Sequence, residues 1–175
     1  VRREQTVLVG ICGGFQMLGE SVADPFGLES PDRETRSGLG LLPLVTELSR
    51  QKTLSQCRAR HLTSEHDLKG YEIHHGRTRL TGEGVVPEVR SESGEIIGYA
   101  DPSGRVWGTY LHGVFDADAF RRWFIDRLRE TKGLPALGSP QTRYDLEEHL
   151  DALADVVRRS LDMEAIYAML DRSSS

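Results

Sequence analysis

Cysteine is nearly absent from this chain: Cys12 and Cys57 are the two thiols in 175 residues. That is too few for the disulfide framework of a small secreted domain. A reducing cytoplasm is the expected compartment, where a thiol stays usable as a nucleophile. An excess of positive charge is missing too. Lys and Arg number 22 against 27 Asp and Glu, a formal net charge of −5. This argues against a nucleic-acid partner and against an anionic membrane surface, both of which want a basic face. No apolar run approaches the roughly 20 residues that a membrane span needs, and no signal-peptide pattern opens the chain. Internal repeats and low-complexity tracts are absent. There is no CxxC pair and no ligand-spaced pair of histidines on a helix, so no metal is expected. A G-x-x-x-x-G-K-[ST] phosphate loop is also missing.

What is present suits a soluble α/β protein with a real core: 38% hydrophobic and 28% charged residues. Thr6-Val7-Leu8-Val9 reads as a short strand, and Gly10-Ile11-Cys12-Gly13-Gly14 follows it directly. Glycines two residues before and two after a cysteine let the backbone bend sharply without a Cβ clash. The thiol is then exposed at the carboxyl end of the strand, as in a nucleophile elbow with sulfur in place of oxygen. A helix N-terminus behind Cys12 would favour the thiolate. The competing reading is a buried structural cysteine in a Gly-rich turn. Such elbows usually sit on an interior strand with earlier strands beside it. Because this strand begins within six residues of Val1, upstream sequence is expected to be missing, through truncation or a start site placed too late.

Further along, residues 14–22 read as a short helix ended by Asp24-Pro25-Phe26-Gly27, with a polar loop to about Ser37. Gly38 to Leu48 reads as a turn leading into a strand. Leu54 to Leu62, with Arg58, Arg60 and His61, suggests a solvated or edge strand. Gly70 to Leu80 reads as a strand broken at His75-Gly76. Glu95–Ala100 and Arg105–Leu111 are β-rich runs joined by a hairpin turn at Asp101-Pro102-Ser103-Gly104. An amphipathic helix starts at Asp118. The expected division is a partial core over residues 1–131, a linker over 132–143, and C-terminal helices over 144–175 packing on the core.

A cysteine nucleophile needs a base, and histidine suits that task near neutral pH. Of the six histidines, His112 is best placed. It follows Gly108-Thr109-Tyr110-Leu111 and precedes Gly113, at the carboxyl end of a strand, where active groups collect in open α/β sheets. His149 reads as a helix-surface residue, and His61 and His66 as solvated. Of the adjacent His74 and His75, at most one faces a site, because neighbours on a strand point to opposite faces.

The segment Gly10–Gly19 resembles the nucleophile segment of the class I (triad-type) glutamine amidotransferases. Asp24-Pro25 with Leu28-Glu29-Ser30, then Gly38–Pro43, Gly70–Thr78 and Gly108–Phe115, follow in order. Together they are similar to the C-terminal amidotransferase domain of the cobyric acid synthases, and the resemblance covers essentially the whole chain. It implies a three-layer open sheet of flavodoxin-like type. It also implies an ammonia-generating glutaminase that serves ATP-dependent amidation of corrinoid carboxylates in vitamin B12 biosynthesis.

On that resemblance Cys12 attacks the carboxamide of glutamine and forms a thioester, and His112 moves the protons. The amide of Gly13 supplies one oxyanion donor. Gln16 holds glutamine, unless it is an ordinary polar group of the helix. The Tyr71–Gly76 segment binds the amino-acid end through its backbone, including Gly76, and through Glu72 or His75. The competing reading there is a strand interruption without catalytic duty.

Two departures stand out. Val114 occupies the position where most of the class carries a glutamate that orients the histidine. The cobyric acid synthase branch is similar in lacking it, which leaves a dyad, Asp116, or a backbone carbonyl as orienting acceptor. The Gly-rich loop that gives the second oxyanion donor is also absent, which would typically lower the rate about 10²–10³-fold. ATP and magnesium are expected only in the missing N-terminal domain, which would also meet the corrinoid acceptor; no cofactor is expected in this chain. The alternatives are an amidotransferase subunit for a cell-wall lipid precursor and an inactive docking module of the same fold.

Overall fold

The apolar run before Gly10 forms the strand Leu8–Ile11 (β1) in the computed structural model, which describes residues 6–142 and 144–172, with side chains through 170. There follow α1 (Gly13–Leu18), β2 (Ser21–Ala23), β3 (Thr35–Ser37), β4 (Leu44–His61), β5 (Asp67–Leu80) and β6 (Val86–Ser91). Then come β7 (Ile96–Ala100), β8 (Val106–Thr109) and α2 (Asp118–Thr131). These lie in one compact unit, Val1–Thr142; a second, Arg143–Ser175, holds α3 (Leu146–Ser160) and α4 (Met163–Arg172). Residues 1–5, 143 and 173–175 of the expected division lie outside the described residues.

The strands make one open sheet in the order β1-β8-β7-β6-β4-β2-β3, with β5 paired to β4. β1 runs parallel to β8, and β2 to β4. The remaining pairs are antiparallel; for β4–β5, β6–β7 and β7–β8 the short connecting turns allow nothing else. The α/β open sheet is therefore mixed. Alternation along β8 accounts for its layers, since successive side chains of a strand point to opposite faces. Val106 joins Phe15 and Leu18 of α1 on one face, while Trp107 joins Phe120 of α2 on the other.

Several sequence expectations need correction. The helix after the elbow ends at Leu18, because Gly19 turns extended (φ −72°, ψ −173°), so Val22 lies on β2 and not on a helix. The stretch read as a solvated or edge strand is the second half of the 18-residue β4, which pairs with β5 and β6. Its polar look reflects one face turned to solvent. β5 runs through His75-Gly76 unbroken; the irregularity sits opposite, between Leu48 and Thr53 of β4.

His61 is not solvated. It is 2% exposed, between the rings of Trp107, Phe120 and Trp123. The Ser64 amide donates to Nδ1 at 3.2 Å, so Nε2–H donates to Glu88 at 2.7 Å. His66 is half-buried, with its Nδ1 in the interior.

Three aspartates hold loops by collecting backbone N–H groups. Asp24 accepts from Leu28, Glu29 and Ser30 at 2.8–2.9 Å. Asp101 closes the β7–β8 turn through Arg105 and Val106. Asp126 of α2 takes Leu137 and Gly138, so the 132–142 segment is tied to the helix that precedes it. Burial opposes ionisation of each, but the hydrogen bonds outweigh it and hold all three below the usual carboxylate range.

A depressed folded-state pKa stabilises above the unfolded value, about 3.9 for Asp, and that contribution is lost as pH falls through the folded value. Asp24→Asn should therefore destabilise the protein at pH 7, with the gap to wild type closing below about pH 4. Urea unfolding of both proteins across that range checks this; a gap independent of pH contradicts it.

Candidate active site

Cys12 stands between β1 and α1 with φ 53° and ψ −111°. A non-glycine residue at positive φ carries strain of about 1–3 kcal/mol, which persists only where the surroundings impose it. Here they do. The Cys12 amide donates to the Thr109 carbonyl at 2.9 Å, and the Cys12 carbonyl accepts from Gln16 at 3.1 Å. Gly10 is sterically required, since a Cβ there would lie 2.6 Å from the Gly14 carbonyl oxygen. Gly14 itself has open space where its Cβ would be. Of the two glycines expected to relieve the bend, the first is the one the geometry demands.

His112 reaches the same place from β8. Ile11 of β1 pairs with Thr109 of β8, so both chains emerge side by side at their carboxyl ends. His112 then bridges to Tyr71 of β5: its amide donates to the Tyr71 carbonyl at 2.8 Å, and Tyr71 donates back at 3.3 Å. Two residues along β5, the Ile73 carbonyl accepts the Cys12 thiol at 3.6 Å. One short stretch, Tyr71–Ile73, thus touches both the thiol and the backbone of the imidazole. His112 Nε2 is buried without a hydrogen-bond partner among the described residues. Val114 is 1% exposed and packs in the α2-side core, so an acid could not occupy that position without losing its solvation.

Burial pushes the Cys12 thiol above its ordinary range; the Gly13 amide pulls it back, and the Glu29 carboxylate pushes it up again. Against the thiolate expected at this helix start, α1 is only six residues long and desolvation outweighs the one favourable amide. Ionising Cys12 needs a base. The Asp24 loop has a role here, since it is what carries Glu29.

The β5 residues sort by face. His74 is buried and stacked on Tyr110, with ring centroids 3.8 Å apart. Its Nδ1–H donates to the Gly76 carbonyl at 3.0 Å, and Nε2 faces Glu72 at 3.2 Å. The ring is thus held at both nitrogens, by the Gly76 carbonyl and by Glu72. Glu72, His74, Gly76 and Tyr110 line a cavity of about 680 Å³. His75 turns the other way, its Nδ1–H donating to the Ser49 carbonyl at 2.9 Å in the irregular stretch of β4. Glu72 and His75, the side chains expected to grip glutamine, are thus both engaged within the protein. A Cβ at Gly76 would collide with the Gln16 amide nitrogen, so Gln16 lies directly against β5. Asp116 makes no hydrogen bond to His112 among the described residues; burial raises its pKa, which the Arg121 charge partly offsets.

Residues 1–120 match the family described as the CobB/CobQ-like glutamine amidotransferase domain. The chain belongs to this family. Among curated proteins, it is 44% identical to the adenosylcobalamin biosynthesis bifunctional protein CobDQ of Leptospira interrogans serogroup Icterohaemorrhagiae serovar Lai, over 97% of this chain and 19% of that protein. It is 42% identical to the cobyric acid synthase of Nitratidesulfovibrio vulgaris Hildenborough, over 95% of this chain and 36% of that protein. The chain thus spans a fifth to a little over a third of these two relatives. A solved structure titled glutamine amidotransferase overlays 73% of this chain and 61% of its own, with TM-score 0.47 and 18% identity.

In this amidotransferase domain, sequence reading missed the Ile73 carbonyl, the His74–Tyr110 stack and the Tyr71–His112 stack. The period-2 pattern of β5 could have separated the face of Glu72, His74 and Gly76 from that of Tyr71 and Ile73. Among the described residues, no group of three or more His, Cys, Asp or Glu side chains is arranged to hold a metal ion, and no helix is long and apolar enough to cross a membrane.

The two thiols should differ in reactivity. Cys57 is 8% exposed, and burial together with Glu72 and Glu92 pushes it up to about 11. A chloroketone analogue of glutamine at pH 8 should alkylate Cys12 and leave Cys57 intact, as read by peptide mass spectrometry. Equal labelling of Cys57 in the folded protein would contradict the elbow geometry.

Proposed function

We propose that the chain is the glutamine-hydrolysing portion of a cobyric acid synthase, releasing ammonia for ATP-dependent amidation of corrinoid carboxylates in vitamin B12 biosynthesis. The observation that carries this reading is a thiol on a positive-φ turn at the carboxyl end of β1, with His112 three residues past the end of the adjacent parallel strand β8, in a chain of this family. Cys12 passes its proton to His112, and the thiolate attacks the glutamine carboxamide carbon. The C–N bond breaks as His112 returns the proton to the leaving ammonia, giving a γ-glutamyl thioester. His112 then activates water, and glutamate leaves.

Gly13 N–H steadies the oxyanion, and Gln16 with the backbone of Tyr71–Gly76 orients glutamine. Because the resting thiol is held protonated, the base is what makes thiolate available at neutral pH. ATP and magnesium are assigned to the ligase portion outside this chain, which would also hold the corrinoid, and the setting is cytoplasmic.

The test uses the full gene product with [amide-¹⁵N]glutamine, ATP, magnesium and cobyrinic acid a,c-diamide. Cys12→Ser should abolish ammonia release and ¹⁵N transfer to the corrinoid, while added ammonium still supports amidation. His112→Ala should lower glutamine hydrolysis about 10²–10⁴-fold. Undiminished hydrolysis by either variant refutes the role given to that residue.

A further inference from the structure

The base of this site lacks the carboxylate that would hold it. Val114 is sealed in the core, and Asp116 makes no hydrogen bond to the imidazole among the described residues. Something else must fix the ring, because a free imidazole samples rotamers and a proton relay to sulfur demands one of them. We propose that Tyr71 is the positioning residue of His112, its ring clamping the imidazole face to face; this rests on His112 being the base proposed above.

Four observations converge on it. The two rings lie parallel, 5° apart in plane with centroids 4.9 Å apart. The two backbones exchange a reciprocal pair of hydrogen bonds, which fixes where each side chain starts. Gly70, the residue before Tyr71, permits this approach: a Cβ there would collide with the His112 carbonyl oxygen. Finally, Tyr71 is 48% exposed, so packing in the core does not explain the ring.

The stack does two things. It blocks rotation about χ2 of His112, keeping Nε2 aimed inward. It also places an aromatic face against the imidazole as that ring gains positive charge from the thiol proton, an arrangement favoured by the ring quadrupole. Neither effect uses the phenolic hydroxyl.

The test compares Tyr71→Leu, Tyr71→Phe and His112→Ala in glutamine hydrolysis by the full gene product. Tyr71→Leu should lower kcat about 3- to 30-fold with KM for glutamine unchanged, and Tyr71→Phe should restore kcat. A wild-type kcat for Tyr71→Leu overturns the proposal, as does a Tyr71→Phe loss equal to that of Tyr71→Leu. A second readout does not depend on how the leucine variant folds. The His112 ring protons of the unaltered protein should resonate upfield, shielded by Tyr71; unshielded positions overturn the stack. Loss with His112→Ala but not with Tyr71→Leu rejects the clamp alone. Full activity of His112→Ala removes the base itself, and the clamp with it.

Discussion

The positive φ of Cys12 is the constraint on which the site depends. A cysteine is strained there, and three contacts keep it from relaxing: the hydrogen bond its N–H donates to the Thr109 carbonyl, the first helical hydrogen bond from Gln16, and the close passage of α1 over Gly10. Each reaches into a different part of the fold. Thr109 belongs to β8, which lies beside β1 only because the sheet closes in that order. α1 is held by Phe15 and Leu18, packed against Leu44, Val106 and Tyr110. The bend is thus imposed by the core on the α1 side, and the chemistry at Cys12 inherits the rigidity of that core.

Electrostatics gives the site a resting state and a working state. With burial and Glu29 raising the thiol against one favourable amide, Cys12 rests protonated, its hydrogen directed at the Ile73 carbonyl. A protonated nucleophile is protected from adventitious oxidation, which follows thiolate character. It becomes a thiolate only when a base accepts the proton. In the reading proposed above that base is His112, whose Nε2 is buried and unpartnered among the described residues. A carboxylate at position 114 would be buried in the α2-side core and would need a partner there, as Glu88 has in His61.

How much of this was legible follows from the range of each interaction. The elbow could be read because its glycines, cysteine and preceding strand are contiguous, and the position of His112 past a strand end because it follows a β-rich run. The strand-and-hairpin pattern from 95 to 111 was legible for the same local reason. What escaped depends on pairing across long separations. Leu54 to Leu62 reads as a solvated or edge strand because its partners, β5 and β6, supply the burial of Cys57, Ala59 and His61 that composition hides. His61 reads as solvated because Glu88, 27 positions later, is what lets it be buried. The choice between His74 and His75 turns on Ser49, in an irregular stretch that no local pattern announces.

That irregular stretch explains why β5 reaches the site at all. β5 lies off the main strand path and pairs with β4 alone, apart from its single bridge to His112. Between Leu48 and Thr53, extra residues on β4 stand against His75, and the His75–Ser49 bond pins the excess in place. Beyond it the ladder resumes with Thr53 opposite His74 and continues to Arg60 opposite Asp67. Side chains alternate with period two, so a slip of one residue here would exchange the faces of β5. Tyr71 would leave His112, His74 would leave Tyr110, and a different carbonyl would face the thiol. The His75–Ser49 hydrogen bond lies at the irregularity on which that register turns.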